Sequence, residues 1–241
     1  MSVTDVERPE PLEFGVALAA LKAAYTGIDE LSARLSPADL LEFSRCRGWV
    51  VADVLYHLLS DAQRALVALA SPVPGPPDRD FVSYWSGFAD VSRDWVPGAL
   101  WVRRSAAAFR DGTGVISFWQ ETAPAAVRSA SRADTDGYVT TQGHVLAVPD
   151  LLATLAVEAV IHHLDMTVHV DAAPEPADEA VAIATRTLDG LFGVRQPHAS
   201  GTYPAGWSAQ EYLLKATGRL ALTGTDRAAL GTAADLIPLL S

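Results

Sequence analysis

The stretch from Leu151 to Val170, LLATLAVEAVIHHLDMTVHV, leaves this chain few ways to fold. Leu151, Leu152, Leu155, Val157, Val160, Ile161 and Leu164 leave little room for a solvated face, and a helix this apolar is buried. Yet Glu158, His162, Asp165 and His169 recur at i, i+4, i+7 and i+11, which a helical period stacks in one stripe. A buried carboxylate one turn before a buried histidine is costly unless something pairs with both. A divalent metal ion does so, because both side chains are ordinary metal ligands. A satisfied core histidine beside a surface glutamate would give the same spacing by chance, so the metal reading needs a third ligand elsewhere.

The totals narrow the setting. With 241 residues the chain can hold one large domain or two small ones, and 49% hydrophobic against 20% charged residues describes a globular protein. A net charge of −11 argues against nucleic acid or an anionic membrane as partner, since both need basic surface. The opening residues MSVTDVERPEPLEF lack the basic and apolar regions of a signal peptide, and no apolar run reaches transmembrane length. A soluble cytoplasmic protein is expected. One cysteine, Cys46, excludes a disulfide framework and a Cys-rich zinc site. It reads as a small buried or loop residue rather than a nucleophile.

Along the chain the pattern is almost entirely helical. Residues 1–12 form a loose tail, 13–172 a helical bundle and 173–241 a mainly helical C-terminal region. Within the bundle the apolar period predicts helices over Glu13–Leu35 and Val50–Ala70, with Asp53 in the first turn of the second and His57 midway along it. Ser36-Pro37-Ala38-Asp39 is a helix-start signal for a short helix to about Phe43. SPVPGPPDRD (71–80) reads as a loop by its prolines. Further helices are expected over Phe81–Trp95, Gly98–Phe109 and Val115–Ser131, with Trp85, Phe88, Trp95, Trp101, Phe109, Phe118 and Trp119 read as core packing. Residues 133–148 are turn-rich and extended, in the manner of a short ribbon, and 171–178 is a linker. In the tail, helices are expected over Glu179–Phe192, 208–217 and 226–239, with a loop at 193–206 and Gly218 as a C-cap.

Bundles build metal sites from inward-facing residues on adjacent helices. His57, interrupting the packed surface of its helix, is the candidate third ligand for Glu158 and His162, although alone it reads equally well as a core histidine with a backbone partner. Two histidines and one carboxylate make a catalytic-type set with an open position. With these residues in place, the sequence resembles the mycothiol-dependent maleylpyruvate isomerase group within the DinB/YfiT-like metal-binding four-helix bundles. The resemblance lies in GWVVADVLYHL and, about a hundred residues later, VEAVIHHLD. Trp49, Asp53 and His57 match the family's W-x-x-x-D-x-x-x-H helix, and Glu158, His162 and Asp165 match its E-x-x-x-H-x-x-D helix. It covers about residues 13–170 and implies Zn²⁺ or a similar divalent ion on His57, Glu158 and His162, with mycothiol as thiol cofactor. The isomerase carries a C-terminal α/β domain with a functional arginine, whereas this tail reads as helical. Arg219 therefore reads first as a helix-terminal cation, and only by resemblance as a functional arginine.

A metal-bound thiol is deprotonated outright, so such a site makes a thiolate nucleophile at neutral pH. The expected partners are a small thiol and an electrophilic small-molecule substrate, in an isomerase or an S-transferase. Metal-assisted hydrolysis and a non-enzymatic metal-binding bundle are the alternatives, and His144 or Asp165 completing the shell would favour the latter. Asp165 is expected to orient a ligand, bind the thiol, or simply hydrogen-bond beside the site. Asp53 and Asp61 flank His57 and could fix its tautomer, though capping or solvent-facing roles fit their spacing better. His163 points about 100° away from the stripe, and with His144 and His169 is a weaker candidate.

Overall fold

Helices α1 (Phe14–Ser32), α2 (Val51–Leu69), α4 (Thr113–Ala130) and α5 (Val148–Met166) form a four-helix bundle. α1 and α2 each pack on both α4 and α5. The computed structural model describes residues 10–87, 95–109, 111–195 and 206–240. Most of the expected N-terminal tail, Phe88 and most of the loop expected at 193–206 lie outside these residues. Leu12, in the last part of that tail, is buried in the core.

The apolar period read from sequence is the packing surface. Leu21, Ile28 and Leu31 of α1, Leu55, Leu58 and Leu59 of α2 and Leu152 and Leu164 of α5 are almost fully inaccessible. Each such side chain stabilises the fold by roughly 1.5–3 kcal/mol relative to exposure. Trp119 of α4 is fully buried with its ring 5.0 Å from that of Tyr25. The expectation that the aromatics all pack inside fails for Trp101 and Phe118, which are 50% and 49% exposed on α3 (Trp95–Ala106) and α4. Their rings pack along the surface against Tyr56 and Phe109.

Between α4 and α5 the turn-rich segment is a hairpin, β2 (Tyr138–Thr141) and β3 (His144–Ala147), closed by Gln142 and Gly143. Both turn residues have positive φ, 49° and 83°, as a two-residue type I′ turn requires. The loop reading of 71–80 needs correction at its start: β1 (Pro72–Val73) pairs antiparallel with β2. Proline is tolerated there because β1 is an edge strand with no second ladder to serve. The helix expected over Phe81–Trp95 is, in its described part, one 3₁₀ turn over Ser83–Gly87. The helix expected from Ser36 is also a single 3₁₀ turn, Asp39–Leu41. Its capping box forms, Ser36 N–H to Asp39 at 2.8 Å and Asp39 N–H to Ser36 at 3.2 Å, but Phe43 then pairs with Val50 in an extended bridge.

α6 (Asp178–Arg195) lies along α1 and α5, and α7 (Ala209–Ala216) packs on α6. Gly218, at φ +73°, takes the left-handed position just past α7, the C-cap role expected of it. The helix expected over 226–239 is α8 (Gly224–Leu230) running into a 3₁₀ turn, Gly231–Leu236. Arg195 pins the end of this turn and the residues after it: its guanidinium donates to the carbonyls of Leu236, Pro238 and Leu239. Leu239 N–H in turn bonds the Ala216 carbonyl at 2.7 Å. No described helix is long and apolar enough to cross a membrane.

Candidate metal centre

α2 and α5 bring the three expected ligands together. Asp53 accepts the Val50 N–H at 3.1 Å and so holds the start of α2, the capping role expected of it. One turn on, His57 points toward α5, its ring 5.6 Å from Trp49 and edge-on to His162 at 4.9 Å. Glu158 Oε2 lies 3.0 Å from His162 Nε2 and 3.6 Å from His57 Nε2. The three ligating atoms sit within 4.8 Å of one another. His57 and Glu158 keep about a quarter of their side-chain surface accessible, so the set opens on one side.

Asp165 and Arg219 sit behind His162. Asp165, fully buried, accepts His162 Nδ1–H at 2.9 Å, and Arg219 Nε and Nη2 donate to the same carboxylate at 3.0–3.2 Å. Asp165 and Arg219, the two residues singled out as candidate functional groups, are thus bonded to each other and to the candidate ligand His162, and Arg219 is not simply a cation at a helix end. Burial would raise the Asp165 pKa, but His162 and Arg219 bring it down to about 2. With Nδ1–H committed to that anion, His162 turns the Nε2 lone pair toward Glu158.

The geometry then poses an electrostatic problem. A lone pair and a carboxylate oxygen cannot face each other at 3.0 Å without a proton or a cation between them. In the absence of a cation a proton serves: burial disfavours a charged His162, yet Cys46, Asp165 and Glu158 raise its pKa well above the ordinary value of 6.5. Burial also opposes ionising Glu158, but His162 and His57 hold its carboxyl below the usual carboxylate range. Two imidazole nitrogens and one carboxylate oxygen are suitable donors for a divalent ion of borderline softness, so the residues fit one.

A second donor set, Cys46, His162 and Asp165, shares the same imidazole through Nδ1. Cys46 Sγ lies 3.0 Å from Asp165 Oδ2 and 3.6 Å from Nδ1. Here the Arg219 guanidinium already occupies the carboxylate and repels a further cation, so the His57–Glu158–His162 set is the better site. Cys46 is a loop residue, one of the two roles expected of it, and it also lines the pocket. Its loop has no period to betray that position.

Asp61 takes the less favoured of its two expected roles, beside His57. It is buried rather than solvent-facing, with Oδ2 at 3.5 Å from His57 Nε2, and burial raises its pKa to about 6 despite His57 nearby. Of the weaker candidates, His144 faces Asp78 on the hairpin at 3.5 Å. His163 points away as expected and donates to the Pro174 carbonyl at 2.7 Å. His169 is not on the stripe at all. α5 ends at Met166 because Arg45 takes its last carbonyls, the backbone N–H bonding Asp165 O at 3.1 Å and the guanidinium bonding Leu164 O.

The open side of the ligand set gives onto a cavity of about 410 Å³. Thr217, Gly218, Arg219 and Leu240 line it from the C-terminal region, together with Arg45, Cys46, Arg47, Trp49, Trp85 and Ile161. A family model described as the mycothiol maleylpyruvate isomerase N-terminal domain, a DinB-like helical domain, matches residues 21–167. No curated protein and no solved structure matches the chain. The matched span contains all three candidate ligands and Asp165 and stops before Arg219. More than half of the chain is thus accounted for, and it belongs to the mycothiol maleylpyruvate isomerase N-terminal domain family.

Proposed function

We propose that the protein is a metal-dependent enzyme that activates a low-molecular-weight thiol, mycothiol by family, for attack on an electrophilic small molecule, as an isomerase or an S-transferase. A divalent ion, Zn²⁺ or a neighbour, held by His57, Glu158 and His162 would supply a thiolate at neutral pH. The observation that carries this reading is the convergence of one donor atom each from His57, Glu158 and His162 within 4.8 Å of one another beside an open cavity.

The chain's own residues do the rest. Arg219 keeps Asp165 ionised, Asp165 fixes the His162 tautomer, and Trp49 packs on His57 so that its ring cannot swing away. Glu158 supplies the negative charge that balances part of the ion. The cavity beside the three ligating atoms leaves space for a thiol and an electrophile. Cys46 lies against Nδ1 of His162 and Asp165 rather than against Nε2, so the thiol at the ion would come from solution.

Metal-assisted hydrolysis is a second reading, favoured by Asp61, a buried carboxylate beside His57 where a water-derived proton could go. The experiment that tests the main reading is metal analysis of the purified protein beside His57→Ala, Glu158→Ala and His162→Ala. Near-stoichiometric metal in wild type, lost in each variant with helical content retained, is the expected result, followed by thiol-dependent turnover. Wild type that neither carries nor takes up Zn²⁺ overturns the proposal, and turnover that ignores the thiol moves it to hydrolysis.

A further inference from the structure

A second groove, of about 390 Å³, lies between the later turns of α2, the hairpin and α3. Arg64 and Val67 of α2, Trp101 of α3 and Thr140 and Gln142 of the hairpin are among the residues that line it. Its chemistry runs against that of the chain. Acidic residues outnumber basic ones 29 to 18 overall, yet none lines this groove. Arg64 is half exposed, and its contact with Asp61 is at 4.0 Å, the outer limit of an ion pair, so the guanidinium keeps donors for a further partner. The Trp101 indole meets the Tyr56 ring at 5.8 Å and stays half exposed, and exposed Val67 adds apolar surface to the same groove. Gln142 gives its amide N–H to Tyr84 Oη at 3.1 Å, which fixes that side chain in the wall.

The groove and the metal centre share no passage wide enough for a ligand. Arg64, Thr141 and Gln142 also line a chamber shared with Asp61 and Glu158, but at about 20 Å³ it holds about one water molecule. Side chains join the two places instead: Arg64 meets Asp61, and Asp61 Oδ2 lies 3.5 Å from His57 Nε2.

We propose that this groove is an effector site for an aromatic carboxylate, with the carboxylate on Arg64 and the ring over Trp101 and Val67, and that Asp61 relays its occupancy to His57. A guanidinium matches the planar, two-oxygen geometry of a carboxylate, and a half-exposed indole gains hydrophobic free energy when a ring covers it. The bound anion offsets the charge of Arg64. The field of Asp61 at His57 is then less opposed, which favours a cation on that histidine. The coupling is reciprocal, so the metal strengthens the effector by the same factor. The relay rests on the metal reading, and the groove does not.

The test uses the full chain with 2-naphthoate, and 2-naphthalenemethanol as its uncharged counterpart, followed by NMR. Naphthoate is expected to shift the Trp101 indole N–H and the amides of residues 140–142, and to bind about tenfold more tightly than the alcohol. Arg64→Gln should remove that preference, and Trp101→Leu should weaken naphthoate about tenfold, with far-ultraviolet circular dichroism unchanged. Shifts confined to the Trp49 and Trp85 indoles would put the acid in the other cavity and overturn the site, as would an alcohol that binds equally well. Competition for Zn²⁺ against a chelator, with and without saturating naphthoate, reads the relay. Metal should bind about two- to fivefold more tightly with naphthoate present, a small factor because solvent screens the groove, and Asp61→Asn should abolish the difference. Metal affinity indifferent to naphthoate overturns the relay. Protein that takes up no Zn²⁺ removes the metal reading and the relay together, while naphthoate binding still decides the groove.

Discussion

His162 works from both edges of its ring, and that double use sets the behaviour of its neighbours. Asp165→Asn removes the charge that serves both Nδ1–H and Arg219, leaving a buried guanidinium without its counter-ion. The expected cost is about 3–5 kcal/mol in a urea titration, with metal affinity down about 10–100-fold by competition against a chelator. His163, one residue away, makes a separate and purely structural prediction. Burial lowers its pKa from 6.5, although Pro174 O and nearby acids pull the other way. A base with a depressed folded pKa contributes its full stability above 6.5, and loses it as pH falls from 6.5 toward the folded value. His163→Gln should flatten that limb of the stability–pH curve, as read by thermal melts across it. The convergence of His57, Glu158 and His162 was legible in sequence because a helical period puts Glu158 beside His162 and His57 on an inward face. Asp61 and Cys46 were not. A carboxylate one turn from a histidine reads equally well as a solvated charge, and Cys46 reaches its neighbours through a loop whose path is set by Ser44, Trp49 and the end of α5. Arg219 meets Asp165 across 54 residues of chain, a distance over which no local pattern speaks.

At the scale of elements, long periodic stretches declared themselves and short ones did not. α1, α2, α4 and α5 begin and end within a few residues of the positions their apolar periods give, since each buries a continuous face. Ser36 and Asp39 do form their box, but a cap cannot lengthen a helix whose continuation is pulled into the Phe43–Val50 bridge. β1 was hidden by its proline, which is harmless on an edge. α5 stops short of Val170 for a tertiary reason, the capture of its carbonyls by Arg45. The hairpin between α4 and α5 gives the prediction proper to this scale. Gly143→Ala forces a Cβ into φ +83°, and should destabilise the fold by about 1–2 kcal/mol without altering metal content. Calorimetric melting together with metal analysis checks both halves of that statement.

For the whole molecule, the bundle carries the candidate ligands while the segment after α6 lends Thr217, Gly218, Arg219 and Leu240 to the same cavity. Arg219, bonded to Asp165, ties that segment to the bundle, and Arg195 of α6 holds its end through three carbonyls of residues 236–239. Arg195→Ala should leave the bundle helical and the metal bound, and speed amide exchange over residues 231–240 in hydrogen–deuterium exchange. Unchanged exchange there would mean that apolar contacts alone hold the segment. The family match ends at residue 167, so the two walls of one pocket fall on either side of that boundary. Such a division lets the two halves diversify at different rates. Changes in the tail can retarget a reactive centre without disturbing its donors, much as interchangeable jaws serve one lathe chuck. A chimera carrying this bundle and another member's tail would then inherit its chemistry from one parent and its taste in substrates from the other.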